Sequence, residues 1–143
     1  MYKFLLVDSD HDALFYYGRT LLRKFPQAEL IECRTAEAAL RRALDRSLSG
    51  IVCHRAGEVG AEDLIPLLRQ RQPETPIIWV GAGVPRVAAR EIGADRFLPF
   101  EEWLMVGTLM SELVGVAPTA TAEWVQAPAQ PSAALRAGFG AAR

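Results

Sequence analysis

Near the start of the chain Lys3-Phe4-Leu5-Leu6-Val7 form a short apolar run that stops at the polar cluster Asp8-Ser9-Asp10-His11-Asp12. That pattern predicts a buried strand followed by a helix N-cap. Leu14, Tyr17, Leu21 and Phe25 then recur at three- and four-residue spacing and predict a helix over 12–25, ended by Pro26. A second strand falls at about 28–33. Thr35 is placed to cap an Ala-rich helix over 36–46, with Ala39, Leu40, Ala43 and Leu44 as its apolar stripe and Arg41, Arg42, Asp45 and Arg46 facing water. Ser49-Gly50 breaks it. Ile51–His54 reads as a third strand, leading through a Gly-containing loop to a helix at about 61–71 with Leu64, Leu67 and Leu68 inward and Pro66 in its first turns. Pro76–Val80 is the fourth strand. A short helix near 86–92, a brief strand around 96–98 and a final helix from Glu101 to Val114 complete the order. Near-continuous apolar strands alternating with amphipathic helices imply a parallel sheet covered on both faces. The predicted architecture over 1–115 is therefore a doubly wound α/β domain with a five-stranded parallel sheet.

After Gly115 the residues shift to Ala, Pro, Thr and Gln, and 116–143 read as an irregular tail too poor in apolar surface to order itself. Two pieces could dock as helical turns, one around Trp124 and one from Ser132 to Phe139. The 143 residues, 50% of them hydrophobic, suffice for one domain with a real core and need no disulfide or metal scaffold. A net charge of −1 and no basic run longer than Arg41-Arg42 argue against nucleic acid as a direct partner. Cys33 and Cys53 sit in apolar runs without C-x-x-C spacing, which points to buried reduced thiols rather than zinc. The apolar stretch before Asp8 is too short for a signal sequence or a membrane span, so a cytoplasmic protein without membrane contact is expected.

Five β-α units with an acidic cluster after the first strand, the segment Pro76-Ile77-Ile78-Trp79-Val80-Gly81-Ala82, and the later Gly93-Ala94-Asp95-Arg96-Phe97-Leu98 resemble bacterial response-regulator receiver domains. The resemblance covers residues 1 to about 115 and implies a flavodoxin-like receiver fold. It also implies a chemistry: phosphorylation of an aspartate ending the third strand, with first-strand acids holding magnesium, a Thr or Ser ending the fourth strand and a Lys ending the fifth. Residue by residue, that machinery is degenerate. Asp8 occupies the first acid position, but Ser9 follows it and Asp10 comes one residue later. Arg55, or His54 with a one-residue slip, stands where the phosphoacceptor belongs, and such a slip reverses the face each side chain meets. Gly81 replaces the hydroxyl, and Leu98-Pro99-Phe100 carries no lysine. Without an acceptor oxygen no acyl phosphate forms, and nothing stabilises its charge.

The resemblance thus implies a pseudo-receiver: a stand-alone, non-catalytic signalling module with no output domain after Gly115 and no cofactor or metal. It would act through a protein partner and self-association rather than aspartyl phosphorylation. In one reading of the degenerate pocket, Arg55 pairs with Asp8 and Asp10 in place of a metal ion. In the other, Asp10 only caps the first helix and Arg55 points into solvent. His54 with His11 makes too small a donor set for a metal site. Gly81-Ala82-Gly83 lacks the third glycine of a dinucleotide loop. The alternative function is a small-ligand sensor that uses the vacated pocket at the C-terminal edge of the sheet. In the final helix, Trp103, Val106 and Met110 belong to more apolar surface than one sheet face covers. With Phe97 they form the expected homodimer or partner surface, unless the tail covers them.

Overall fold

Strand register decides what this fold brings together. The computed structural model describes residues 1–115, and the tail segments around Trp124 and Ser132–Phe139 lie outside the described residues. β1 (Lys3–Val7) is followed by α1 (His11–Lys24), β2 (Glu29–Cys33), α2 (Ala36–Arg42) and β3 (Gly50–Cys53). A small antiparallel hairpin, β4 (Arg55–Ala56) with β5 (Val59–Gly60), occupies the loop before α3 (Ala61–Arg71). β6 (Ile77–Gly81), α4 (Ala89–Ile92), β7 (Arg96–Pro99), a 3-10 turn (Phe100–Met105) and α5 (Val106–Val114) complete the domain. The main sheet has five parallel strands in the order β2-β1-β3-β6-β7, so the chain winds outward from β1 in both directions. The doubly wound parallel architecture expected from the alternation is the one observed.

Successive residues of a strand face opposite sides, and here that divides the core in two. Leu5, Val7, Ile51, Cys53, Ile77 and Trp79 pack toward α2 and α3. Phe4, Leu6, Val52, Ile78 and Val80 pack toward α1 and α5. Helix starts follow the predicted caps: the Asp10 carboxylate accepts from the Asp12 amide at 3.0 Å, and the Thr35 hydroxyl from the Ala38 amide at 3.1 Å. Both cysteines are buried and unpaired.

Several expectations need correction. α2 ends at Arg42, so Leu44, drawn as part of its apolar stripe, lies in the following turn and is 62% exposed. In α3 the inward side chains are Leu64, Ile65 and Leu68, with Leu68 on the arc between the other two, while Leu67 points outward. The final helix is the largest correction. Its first turn is the 3-10 segment, and the α-helix proper starts only at Val106. This turn rotates Val106 and Met110, one helical repeat apart, into the core. Neither lies on an interaction surface. Gly107 permits that approach: a Cβ there would overlap the Thr20 carbonyl, and its amide donates to the Thr20 hydroxyl at 3.1 Å. Met110 in turn fills the space left open by the missing side chain of Gly50. What stays outside is Leu104 and Met105, next to Trp103, which stacks on Tyr16 with ring centroids 4.7 Å apart.

Candidate functional site

β1 and β3 end level, with Val7 opposite Cys53. The next residue of each strand, Asp8 and His54, is held in line by backbone bonds, Asp8 N–H to the Cys33 carbonyl at 3.1 Å and His54 N–H to the Val7 carbonyl at 2.9 Å. The two side chains consequently emerge together on the α1/α5 face of the sheet. Asp8 is 1% exposed. One of its carboxylate oxygens accepts from the Tyr17 hydroxyl at 2.7 Å and meets His54 Nδ1 at 3.0 Å, and the other accepts from the Asp10 amide at 2.9 Å. An ionised carboxylate can only accept, so Nδ1 carries the proton of the imidazole. Phe100 backs that ring, stacked with centroids 5.9 Å apart.

Burial alone would push the Asp8 carboxyl up. Hydrogen bonds from His54, from the Asp10 amide and from Tyr17 outweigh it and hold the group below the ordinary carboxylate range. The converse applies to Tyr17, whose phenol is driven far above its ordinary range by burial and by the adjacent Asp8 charge. Burial likewise raises the Cys53 thiol, which leaves it inert as a nucleophile.

The remaining candidates are separated from this cluster. Asp10 is exposed and serves as the α1 cap. Ser9 contributes only its carbonyl, which accepts from the Arg34 guanidinium at 3.1 and 3.2 Å. Arg55, one residue beyond His54, points to the other face, is exposed, and forms no ion pair with Asp8 or Asp10. The guanidinium lock read from the sequence is replaced by an imidazole and a phenol. Tyr17 and Phe100 were not singled out for the pocket; as aromatics in an apolar stripe they carry no sign of a polar task, and only the helix placement reveals it. Among the described residues no group of three or more His, Cys, Asp or Glu side chains could hold a metal ion.

Next to this cluster, on its α3-facing side, the same sheet edge is open, and His54 borders both. A cleft of about 270 Å3 lies between the β4–β5 hairpin, the start of α3 and the loop after β6. Arg55, Glu62, Trp79, Gly81, Arg86 and Phe97 are among its lining residues. Trp79 and Phe97 meet edge to face, centroids 4.9 Å apart. Phe97, read from the sequence as interaction surface, is mostly taken up by this contact.

No protein-family model matches this sequence, and no curated protein is significantly similar to it. Solved structures do match. A response regulator from Hahella chejuensis aligns at 16% identity over 81% of this chain and 97% of its own, with a TM-score of 0.67. A receiver domain protein from Methanospirillum hungatei aligns at 17% identity over 79% and 96%, TM-score 0.63. The fold is that of response-regulator receiver domains. A third match is a Burkholderia pseudomallei response regulator with a phosphorylated aspartic acid, a calcium ion and citrate. It aligns at 21% identity over 90% of this chain and 76% of its own, TM-score 0.62. On this receiver fold the residues fit a divalent ion poorly, because magnesium requires several oxygen ligands. Here the single buried acid already has both oxygens engaged by protein donors.

Proposed function

We propose that this receiver fold works as a signalling module without aspartyl phosphorylation, as a binding protein rather than an enzyme. One observation carries the reading: the residue that follows β3 beside Asp8 is His54, and its Nδ1 hydrogen is spent on the Asp8 carboxylate. No carboxylate is left at that position to accept a phosphoryl group. Gly81 and Pro99 end β6 and β7, so neither a hydroxyl nor an ammonium stands by to stabilise one. The site residues of a phosphorelay are replaced by a bonded cluster that locks the sheet edge to α1.

Output then depends on contact with protein, a partner or a second copy of the chain. The exposed apolar side chains Phe15, Leu104 and Met105, joined through the Tyr16–Trp103 stack, supply a face for it. The test is incubation with acetyl phosphate and Mg2+, followed by intact mass and sedimentation. Both are expected to stay unchanged. A base-labile adduct on an aspartate, or an acid-labile one on His54, would overturn the reading.

A further inference from the structure

The α3-facing cleft carries a feature the folded chain does not use. Trp79 is 4% exposed and lines the cleft, yet its indole N–H finds no hydrogen-bond partner among the described residues. A buried side-chain donor left unpaired marks a place where an acceptor is missing. Gly81 keeps the approach clear: a Cβ there would lie 3.4 Å from Trp79 Nε1 and 2.9 Å from the Phe97 ring, closing the space above the indole. Arg55 and Arg86 border the same space from opposite walls, and neither is engaged in an ion pair among the described residues. Glu62 is the one carboxylate in the lining, which leaves the walls one positive charge in excess. A singly charged acceptor fits that balance better than a polyanion.

We propose that this cleft binds a small organic carboxylate with a flat apolar body. Trp79 N–H and the two guanidiniums hold the carboxylate, and Phe97 and Val84 flank the body. At about 270 Å3 the space is below the usual range for drug-sized ligands and suits a single aromatic ring. Arginine presents paired donors matched to a carboxylate, and the indole donor adds a directional third. The proposal rests on the reading above, since the sheet edge must be free of a phosphoryl group.

The probe is benzoate, with benzamide as its uncharged counterpart, and the readout is the Trp79 indole N–H resonance, assigned by its loss in Trp79→Phe. Benzoate should move that resonance saturably while benzamide leaves it in place, and Arg55→Gln and Arg86→Gln should each weaken binding by about tenfold. Both arginines are exposed, so the variants keep the fold. A resonance that benzoate leaves unmoved up to its solubility limit would overturn the proposal, as would a midpoint unaffected by either arginine change. The phosphodonor experiment fails independently: an adduct there would refute the phosphorylation-free module, whereas an empty cleft with no adduct would refute only the ligand.

Discussion

The C-terminal edge of the sheet has two faces, and they are finished in opposite ways. Toward α1 and α5, Asp8 is buried and both its oxygens are engaged, by Tyr17, His54 and the Asp10 amide. Toward α3, Trp79 is equally buried, its donor is unmet, and the space beside it is open. The strands that carry them, β1 and β6, are separated by β3 alone. A satisfied buried polar group stabilises and specifies a structure, whereas an unsatisfied one is a cost retained for some other reason. The contrast assigns structure to the first face and binding to the second. The open side still takes in His54, Arg55 and Gly81, three of the positions read from sequence as the degenerate phosphorylation pocket.

The sharpest way to break this contrast is to remove the acceptor. Asp8→Ala strands the Tyr17 hydroxyl in a closed environment and leaves the His54 N–H and the Asp10 amide without their acceptor. The expected cost is about 3 kcal/mol, measured as a shift of the denaturation midpoint in urea at constant slope. If the loss is below about 1 kcal/mol, the cluster is solvated in practice and the contrast between the faces fails.

A smaller effect, with its own pH signature, follows from the partner. Tyr17→Phe removes a hydrogen bond to a charged group and should cost about 2 kcal/mol at neutral pH. The folded state keeps Asp8 ionised below its ordinary value of 3.8, so the stability it contributes is complete above that value and drains as pH falls through it. Tyr17 behaves in the opposite sense. Its folded value lies above the ordinary 10.0, so its contribution is complete below that value and is lost as pH rises past it, where only the unfolded phenol ionises. Tyr17→Phe should therefore flatten the alkaline limb of a stability-pH curve, and Asp8→Asn the acid limb. A wild-type curve that runs level past pH 10 would contradict the assignment of Tyr17.

Much of the fold was legible because the central strands are apolar almost throughout and the helices keep a 3.6-residue period. Both signals survive local ambiguity. The site was legible only to within one residue. Whether His54 or Arg55 meets Asp8 depends on where β3 stops relative to β1, and a single step exchanges the sheet faces. The pairing of Val7 with Cys53 decides it in favour of His54. Composition gives no access to that register. The last helix misled for a related reason: Glu102 lies off helical geometry, and a turn of 3-10 helix changes which side Val106 and Met110 face without changing the pattern of letters. The Trp79 donor is invisible in sequence for a third reason, since an indole in a strand reads as core and only the empty space over Gly81 shows that its N–H is bare.

The finest test of the two-face contrast is the substitution with the smallest expected effect on stability. In one of the two readings from sequence, Arg55 guards Asp8 and Asp10, and its loss should release a repulsion of a buried pair; in the other, Asp10 only caps the helix and Arg55 is solvated. In the structure it lies across the sheet from Asp8, while Asp10 is exposed and occupied as a helix cap. Asp8 obtains its compensation from His54, Tyr17 and the Asp10 amide and keeps it when the guanidinium goes. Arg55→Gln should thus change the free energy of unfolding by no more than about 0.5 kcal/mol, as expected of an exposed side chain without a partner. A change above about 1 kcal/mol would mean that charge passes between the faces through the thickness of the sheet. The stability of the Asp8 cluster and the occupancy of the cleft would then be a single property rather than two.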